Sequence, residues 1–311
     1  MSWIFVALAA YFFLAVANLF DKFLVDNVLP SSKAYAFVAC LFGGLLFLSA
    51  PWLLEWPGFY WVTINIIAGC IFALALWSLF EALRRGEAAQ TLVIIGGLTP
   101  VFSVTFSVLF FKEQFTSLEW LGIATLLSGI LVIAFLPKQR SFLARLMNKL
   151  KLTQAIKSGY FIFALSSSLA YATYFILTKY AYSTQTFASA FIWTRLGAAL
   201  FVLLFLIRKV DRSDVLQIFK KKRKNKNSPL VIINQLIGST GFILQNYAIF
   251  LGSVALVNAL QGVQYAFLLV ISTILALLSP KLLKETFSWR IFSQKLLAVI
   301  IISFGLYFIL L

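Results

Sequence analysis

The chain has 311 residues, of which 62% are hydrophobic and only 12% charged, with a formal net charge of +16 and no histidine. Soluble domains are about half apolar and a quarter charged, so a water-soluble fold has no place for this much apolar surface. The positive charge does not mark a nucleic-acid binder, because it lies between apolar blocks and no nucleic-acid motif accompanies it. The two cysteines, Cys40 and Cys70, each sit inside an apolar block, which excludes a disulfide framework or a metal cluster built on them.

In chain order the apolar blocks are 3–23, 35–54, 61–83, 88–111, 118–136, 159–178, 187–207, 230–250, 254–278 and 292–311. Each approaches the ~20 residues that carry a helix across ~30 Å of hydrocarbon. The sequence therefore predicts an all-α integral membrane protein with ten transmembrane helices. The first block lacks a basic leader and carries Asp21-Lys22 where a cleavage site would fall, so it is expected to be a retained span. Between the third and fourth blocks stand only Arg84-Arg85-Gly86-Glu87, charges too costly to leave in the middle of one lipid-facing helix.

Basic residues test this division. Of the 26 Lys and Arg residues, 23 fall in the connections after blocks one, three, five, seven and nine or, for Lys22 and Lys295, at the block ends that border them. The positive-inside rule then puts these connections in the cytoplasm and both termini outside. The turn Pro51-Trp52-Leu53-Leu54-Glu55-Trp56-Pro57-Gly58-Phe59-Tyr60-Trp61 is rich in rings that favour the headgroup layer on the other side. Residues 138–158 form a basic linker in which Phe142, Leu143, Leu146 and Leu150 repeat at helical spacing, the pattern of an interfacial amphipathic helix. Lys220 to Lys226 is a polybasic tract, read either as topology enforcement with anionic-lipid attraction or as a regulatory lipid contact.

The chain also echoes itself. Phe111-Lys112-Glu113-Gln114-Phe115-Thr116 after the fourth block is matched by Leu283-Lys284-Glu285-Thr286-Phe287-Ser288 after the ninth, and Lys22 by Lys179. These pairs divide the chain into residues 1–137 and 159–311, two five-helix repeats joined by the linker. Five is odd, so the second repeat is expected to be inverted relative to the first, the arrangement that lets a carrier expose a central site to each face in turn.

Polar groups within the apolar blocks are candidate cavity residues. Arg195 stands near the middle of the seventh block, where a charge must face protein or water; substrate contact and structural bonding are both open readings. Amides at Asn65, Asn234, Gln235, Gln245, Asn246, Asn258, Gln261 and Gln264 suit either cavity lining or helix-to-helix bonds. Trp77, Tyr171 and Trp193 offer aromatic walls or ordinary packing. Gly96-Gly97-Leu98-Thr99-Pro100 is expected to kink or interrupt the fourth helix. Asp21, Glu81 and Glu87 are the acids able to titrate at a vestibule.

Gly86-Glu87-Ala88-Ala89, Pro100, Lys112-Glu113-Gln114-Phe115-Thr116, Gly122, Ser128-Gly129, Lys22 and Lys179 together resemble the drug/metabolite transporter superfamily, in particular its ten-span members with two EamA domains. The resemblance covers about residues 3–136 and 159–311. It implies a helical basket around a central cavity, with Trp77, Glu81, Gln90, Pro100, Tyr171, Arg195, Gln245, Asn246, Asn258, Gln261 and Gln264 as cavity candidates. The second half lacks a proline at the position of Pro100, and the second block lacks a counterpart of Arg195. The reading that results is a secondary transporter of a small metabolite such as an amino acid or related amphiphile, an exporter in the prokaryotic inner membrane. It acts as a monomer in the lipid bilayer, with proton or sodium coupling, no cofactor, no metal and no nucleic-acid partner. The alternative is a non-transporting scaffold or lipid-handling subunit; an enzyme is not expected, since no nucleotide motif, metal cluster or histidine base is present.

Overall fold

Long, predominantly apolar runs leave the backbone one economical solution in lipid, an α-helix that satisfies its own N–H and C=O groups. The computed structural model describes residues 2–27, 30–86, 88–134, 159–220, 228–278 and 289–310, and all regular structure among them is helical. Before residue 135 lie α1 (Ser2–Asn27), α2 (Ser32–Gly44), α3 (Ala50–Leu53), α4 (Phe59–Arg85), α5 (Ala88–Phe111) and α6 (Ser117–Ala134). After residue 158 lie α7 (Tyr160–Tyr182), α8 (Phe187–Leu203), α9 (Lys209–Lys220), α10 (Ser228–Leu251), α11 (Val254–Ala259), α12 (Gln261–Leu278) and α13 (Trp289–Leu310). The linker 138–158, the polybasic residues 221–226, Glu87 and the Lys284-Glu285 motif lie outside the described residues.

Six helical stretches among the described residues are long and apolar enough to cross a membrane: Ser2–Asp21, Ser32–Leu53, Phe59–Arg85, Ile94–Phe111, Tyr160–Tyr182 and Phe187–Leu206. Large apolar side chains such as Phe5, Leu48, Phe110, Ile207 and Phe304 stand on the outer surface, where they meet lipid rather than water. The chain is therefore an all-α, multi-pass membrane protein.

Local chemistry explains the helix ends. Ser31 caps α2 by accepting the Ala34 N–H, and Ser253 caps α11 by accepting the Leu256 N–H. Lys112 turns the chain after α5 with φ +52°. Thr116 and Glu119 then open α6 with a reciprocal box, the Thr116 N–H donating to Glu119 at 2.8 Å and the Glu119 N–H to Thr116 Oγ1 at 3.2 Å. The duplicated sequence motif thus carries, in its first copy, a turn and a helix cap.

Two expectations change. The second apolar block is not one α-helix, because a 3-10 turn over Leu45–Ser49 joins α2 to α3. Of the two forms expected at Pro100, a kink or an interruption, the interruption does not occur: α5 runs on through it, while two helices join at Leu260, between α11 and α12, where no proline stands. Proline withholds one donor but is tolerated where neighbouring helices cover the freed carbonyl.

Packing follows small residues. Helix α4 runs along α7 and α8, α1 along α10 and α12, α5 along α7 and α11, α6 along α13, and α2 along α8. At the α4–α8 crossing a Cβ on Gly197 would stand 2.5 Å from the Ile66 carbonyl oxygen, and one on Gly69 would stand 2.1 Å from that of Thr194. Gly122 and Gly305 make a similar seam between α6 and α13. In lipid no hydrophobic force joins helices, so such backbone-to-backbone fits supply much of the association.

Candidate functional site

A cavity of about 140 Å³ lies among α1, α2, α4, α7, α8 and α10. Its polar wall includes Asp21 of α1, Arg195 of α8, Asn234 and Gln235 of α10 and Tyr171 of α7. Phe72, Phe191 and Phe242 form much of the apolar wall. Six helices from both parts of the chain therefore contribute to one chamber.

Arg195 is 5% exposed. Its guanidinium carbon lies 4.0 Å from the Phe72 ring centre, 4.9 Å from those of Phe191 and Phe242, and 5.6 Å from that of Tyr174. Nη2 donates to the Tyr174 hydroxyl at 3.0 Å, and that hydroxyl donates onward to Asn246 Oδ1 at 2.8 Å. Nε is buried without a hydrogen-bond partner, and no described carboxylate forms an ion pair with this cation. The ring faces hold the charge by their quadrupoles, each worth about 0.5–2 kcal/mol, but leave its donor edge underused. Gly43 of α2 faces this side chain, and a Cβ there would meet Arg195 Cδ at 3.4 Å, an ordinary contact.

Asp21 sits elsewhere on the cavity wall. Tyr35 donates its hydroxyl to Oδ1 at 2.5 Å, Asn234 donates Nδ2 to the same oxygen at 2.7 Å, and Nδ2 also lies 3.1 Å from the Tyr35 hydroxyl. Three helices, α1, α2 and α10, meet in this cluster.

Of the sequence-derived candidates, Arg195 and Tyr171 line the cavity, and Asn246 stands one bond behind Arg195. Gln245 and Asn258 join a second buried cluster: Gln245 Nε2 lies 3.4 Å from the Tyr11 hydroxyl and 3.3 Å from Asn258 Oδ1, and Asn258 Nδ2 donates to Ser103 Oγ at 2.9 Å. Gln261 has a buried Oε1 without a partner, Gln264 is buried in α12, and Pro100 is buried in α5. Trp77 packs against Phe163 and Phe205, with the Lys33 ammonium 5.5 Å from its ring. Glu81 accepts from Ser32 at 2.5 Å and pairs with Arg85 at 2.6 Å, so it stabilises the end of α4. The side chain of Gln90 lies outside the described residues. Asp21, expected at a vestibule, and the amides Asn234 and Gln235 also line the cavity, whereas Phe72, Phe191 and Phe242 were not singled out, because one phenylalanine among many in apolar runs carries no sequence signal of facing inward.

Lys179 has a structural explanation. Its ammonium donates to the carbonyls of Ile249, Phe250 and Gly252 at 2.9, 3.2 and 2.7 Å, capping the negative end of α10. The aromatic turn is likewise pinned, with Ser189 and Trp193 both donating to the Glu55 carbonyl.

Comparison with known proteins finds a match for part of the chain. Residues 1–135, just under half of the chain, match the EamA-like transporter family. A protein of a Sinorhizobium species named "Uncharacterized transporter in cobO 3'region" is 27% identical over 138 residues, 43% of this chain and 96% of that protein. A solved structure titled only "Crystal structure of protein" is similar in fold, with a TM-score of 0.65 and 16% identity over 98% of this chain and 96% of its own. The chain is thus an all-α membrane protein whose residues 1–135 match the EamA-like transporter family, a family of transporters and not of enzymes.

Proposed function

We propose that the chain is a secondary transporter that exports a small metabolite, such as an amino acid or related amphiphile, by alternating access. Ten membrane-spanning helices in two inverted repeats, residues 1–137 and 159–311 joined by the basic linker 138–158, form its moving parts. The observation that carries the reading is the chamber shared by helices of both halves of the chain, with a caged Arg195 that no described carboxylate pairs and the acid Asp21 on its wall. Charges are placed within a membrane at considerable cost, and those facing a cavity commonly serve a polar passenger. Opposite charges lining one chamber fit the two ends of a zwitterion, and the phenylalanine rings fit its apolar body.

The helix partners support the inverted arrangement. Counting α11 and α12 as one span, the α1–α10 contact has the α4–α7 contact as its image under exchange of repeats. The α5–α7 contact has α1–α12, while α2–α8 and α6–α13 are their own images. A pair of repeats that exchange conformations would close the chamber on one face while opening it on the other. In this reading the protein works as a monomer in the prokaryotic inner membrane, with both termini outside and coupling to a proton or sodium gradient.

The test is counterflow in proteoliposomes with radiolabelled leucine and phenylalanine under imposed proton and sodium gradients. Exchange above protein-free vesicles is the expected result. No movement of these or of a polyamine, nucleoside and quaternary-amine panel would overturn the reading, as would labels on α2 and α8 that never exchange inward for outward accessibility; a scaffold or lipid-handling role would then stand.

A further inference from the structure

We infer that Asp21 is the proton-binding site of the cavity, and that a proton and the cationic end of the passenger take turns on its carboxylate. The inference rests on the transport reading above for its second half, while its first half concerns the protein alone.

The geometry begins with what surrounds the carboxylate. Its partners, the Tyr35 hydroxyl and the Asn234 amide, are both neutral donors to Oδ1. The described side chains set no lysine or arginine within ion-pair distance of it. From α2, Lys33 is bound to Asp211 and Tyr35 belongs to the cluster; from α4, Glu81 is bound to Ser32 and Arg85. Helices α10 and α12 carry no Lys, Arg, Asp or Glu within Ser228–Leu251 and Gln261–Leu278. From α8, Arg195 lines the same chamber but spends its cation on four rings, of which Tyr174 also accepts a hydrogen bond at its hydroxyl. Among the described side chains Asp21 therefore has no committed counter-charge, and its carboxylate lines a chamber that a small cation could enter.

A second observation points to the proton itself. Asn234 Oδ1 is buried and accepts no hydrogen bond, although its amide nitrogen lies 2.7 Å from the Asp21 carboxylate. Buried acceptors without partners are uncommon and call for a physical reason. An ionised carboxylate can only accept, whereas a protonated one donates. Turning the amide over on protonation gives the new O–H an acceptor in Asn234 Oδ1, so the cluster has a bonding pattern ready for each state of the acid.

Exchange follows from charge balance. When the chamber faces the more acidic side, one proton from water adds to Asp21 and displaces an ammonium group of the passenger. On the other face the proton leaves to water as the next ammonium arrives. One positive charge replaces another, and the switch alters the bonds that tie α1, α2 and α10 together.

The test is an infrared pH titration of the purified, reconstituted protein from about pH 4 to about pH 9, spanning ordinary and raised carboxyl values. Wild type minus Asp21→Asn is expected to contain the carbonyl stretch of a protonated acid, growing as pH falls. Identical spectra at every pH would overturn the inference. If Asp21→Asn fails to fold, Tyr35→Phe serves instead: loss of a donor to the ionised acid moves the band midpoint to higher pH, and an unmoved midpoint refutes the assignment. In vesicles with labelled leucine and phenylalanine, Asp21→Asn is expected to lose gradient-driven accumulation at least roughly tenfold, the equivalent of about 1.4 kcal/mol. Accumulation equal to wild type would overturn the coupling half. Absence of uptake in wild type sinks the transport reading instead, and the spectra still decide whether Asp21 takes up the proton.

Discussion

Replacing Gly197 with alanine wedges two helices apart at a place where the displacement can be worked out. The new Cβ would stand 2.5 Å from the Ile66 carbonyl oxygen and 2.7 Å from Ile66 Cα, both backbone atoms that cannot rotate away. Ordinary contact begins at 3.4 Å, so α4 and α8 must separate by about 0.9 Å. A gap of that size forfeits roughly a quarter to a half of the dispersion attraction between facing atoms, and overpacking of this kind costs about 1–3 kcal/mol. Arg195 lies two residues before Gly197, and Phe72 lies one turn beyond Gly69, so the same wedge loosens the 4.0 Å ring contact of the guanidinium. The comparison variant is Gly238→Ala, whose Cβ meets only the Ala17 methyl, at 3.5 Å. There the helix propensity of alanine contributes up to about 1 kcal/mol in the stabilising direction. Apparent melting temperatures, read as the monodisperse fraction on size exclusion after heating in one detergent, are expected to fall for Gly197→Ala and to hold or rise for Gly238→Ala. Equal melting of the two variants would refute the seam.

At Arg195, alanine is expected to remove most counterflow, while lysine retains the charge but lowers the rate about tenfold, since an ammonium cannot match a planar guanidinium among ring faces. Unchanged uptake by Arg195→Ala at equal expression would take this residue out of the site. Lys179→Met removes three charge-assisted bonds from the end of α10 and is expected to lower stability by about 2 kcal/mol; an unaltered melting profile in the same heating assay counts against the cap. For topology, single cysteines replacing Trp56 and Lys222 should label from opposite sides of intact vesicles. Reaction of the Lys222→Cys variant only from outside would reverse the orientation derived from the basic connections.

Some of this was readable from the chain and some was not, for reasons of distance and geometry. The helices α1, α4, α7 and α8 follow from uninterrupted apolar runs, and Arg195 drew notice because a lone charge in such a run must face inward. Asp21 was expected at a vestibule because its apolar run ends at Phe23, whereas α1 continues to Asn27 and leaves the acid about 9 Å, or six residues, from the helix end. Lys179 reads as a span-closing charge, but its acceptors lie some 70 residues away and only the fold brings them within reach. Among the amides, sequence could not separate lining from packing. Gln245 and Asn258 bond to each other and to Tyr11 and Ser103, whereas Asn234 and Gln235 face the chamber. The misplaced interruption has a similar cause: proline announces a missing donor, yet nothing in Ala259-Leu260-Gln261 announces the join of two helices.

That join has a mechanical consequence. Near it the Val257 carbonyl is held by the hydroxyl of Tyr11, a fully buried side chain of α1, at 2.6 Å. A hinge in hydrocarbon can swing only while its loosened backbone atoms keep a partner. The join at Leu260 is therefore tied to α1 through one hydroxyl, and Tyr11→Phe would remove that tie together with the Gln245 contact to the same oxygen.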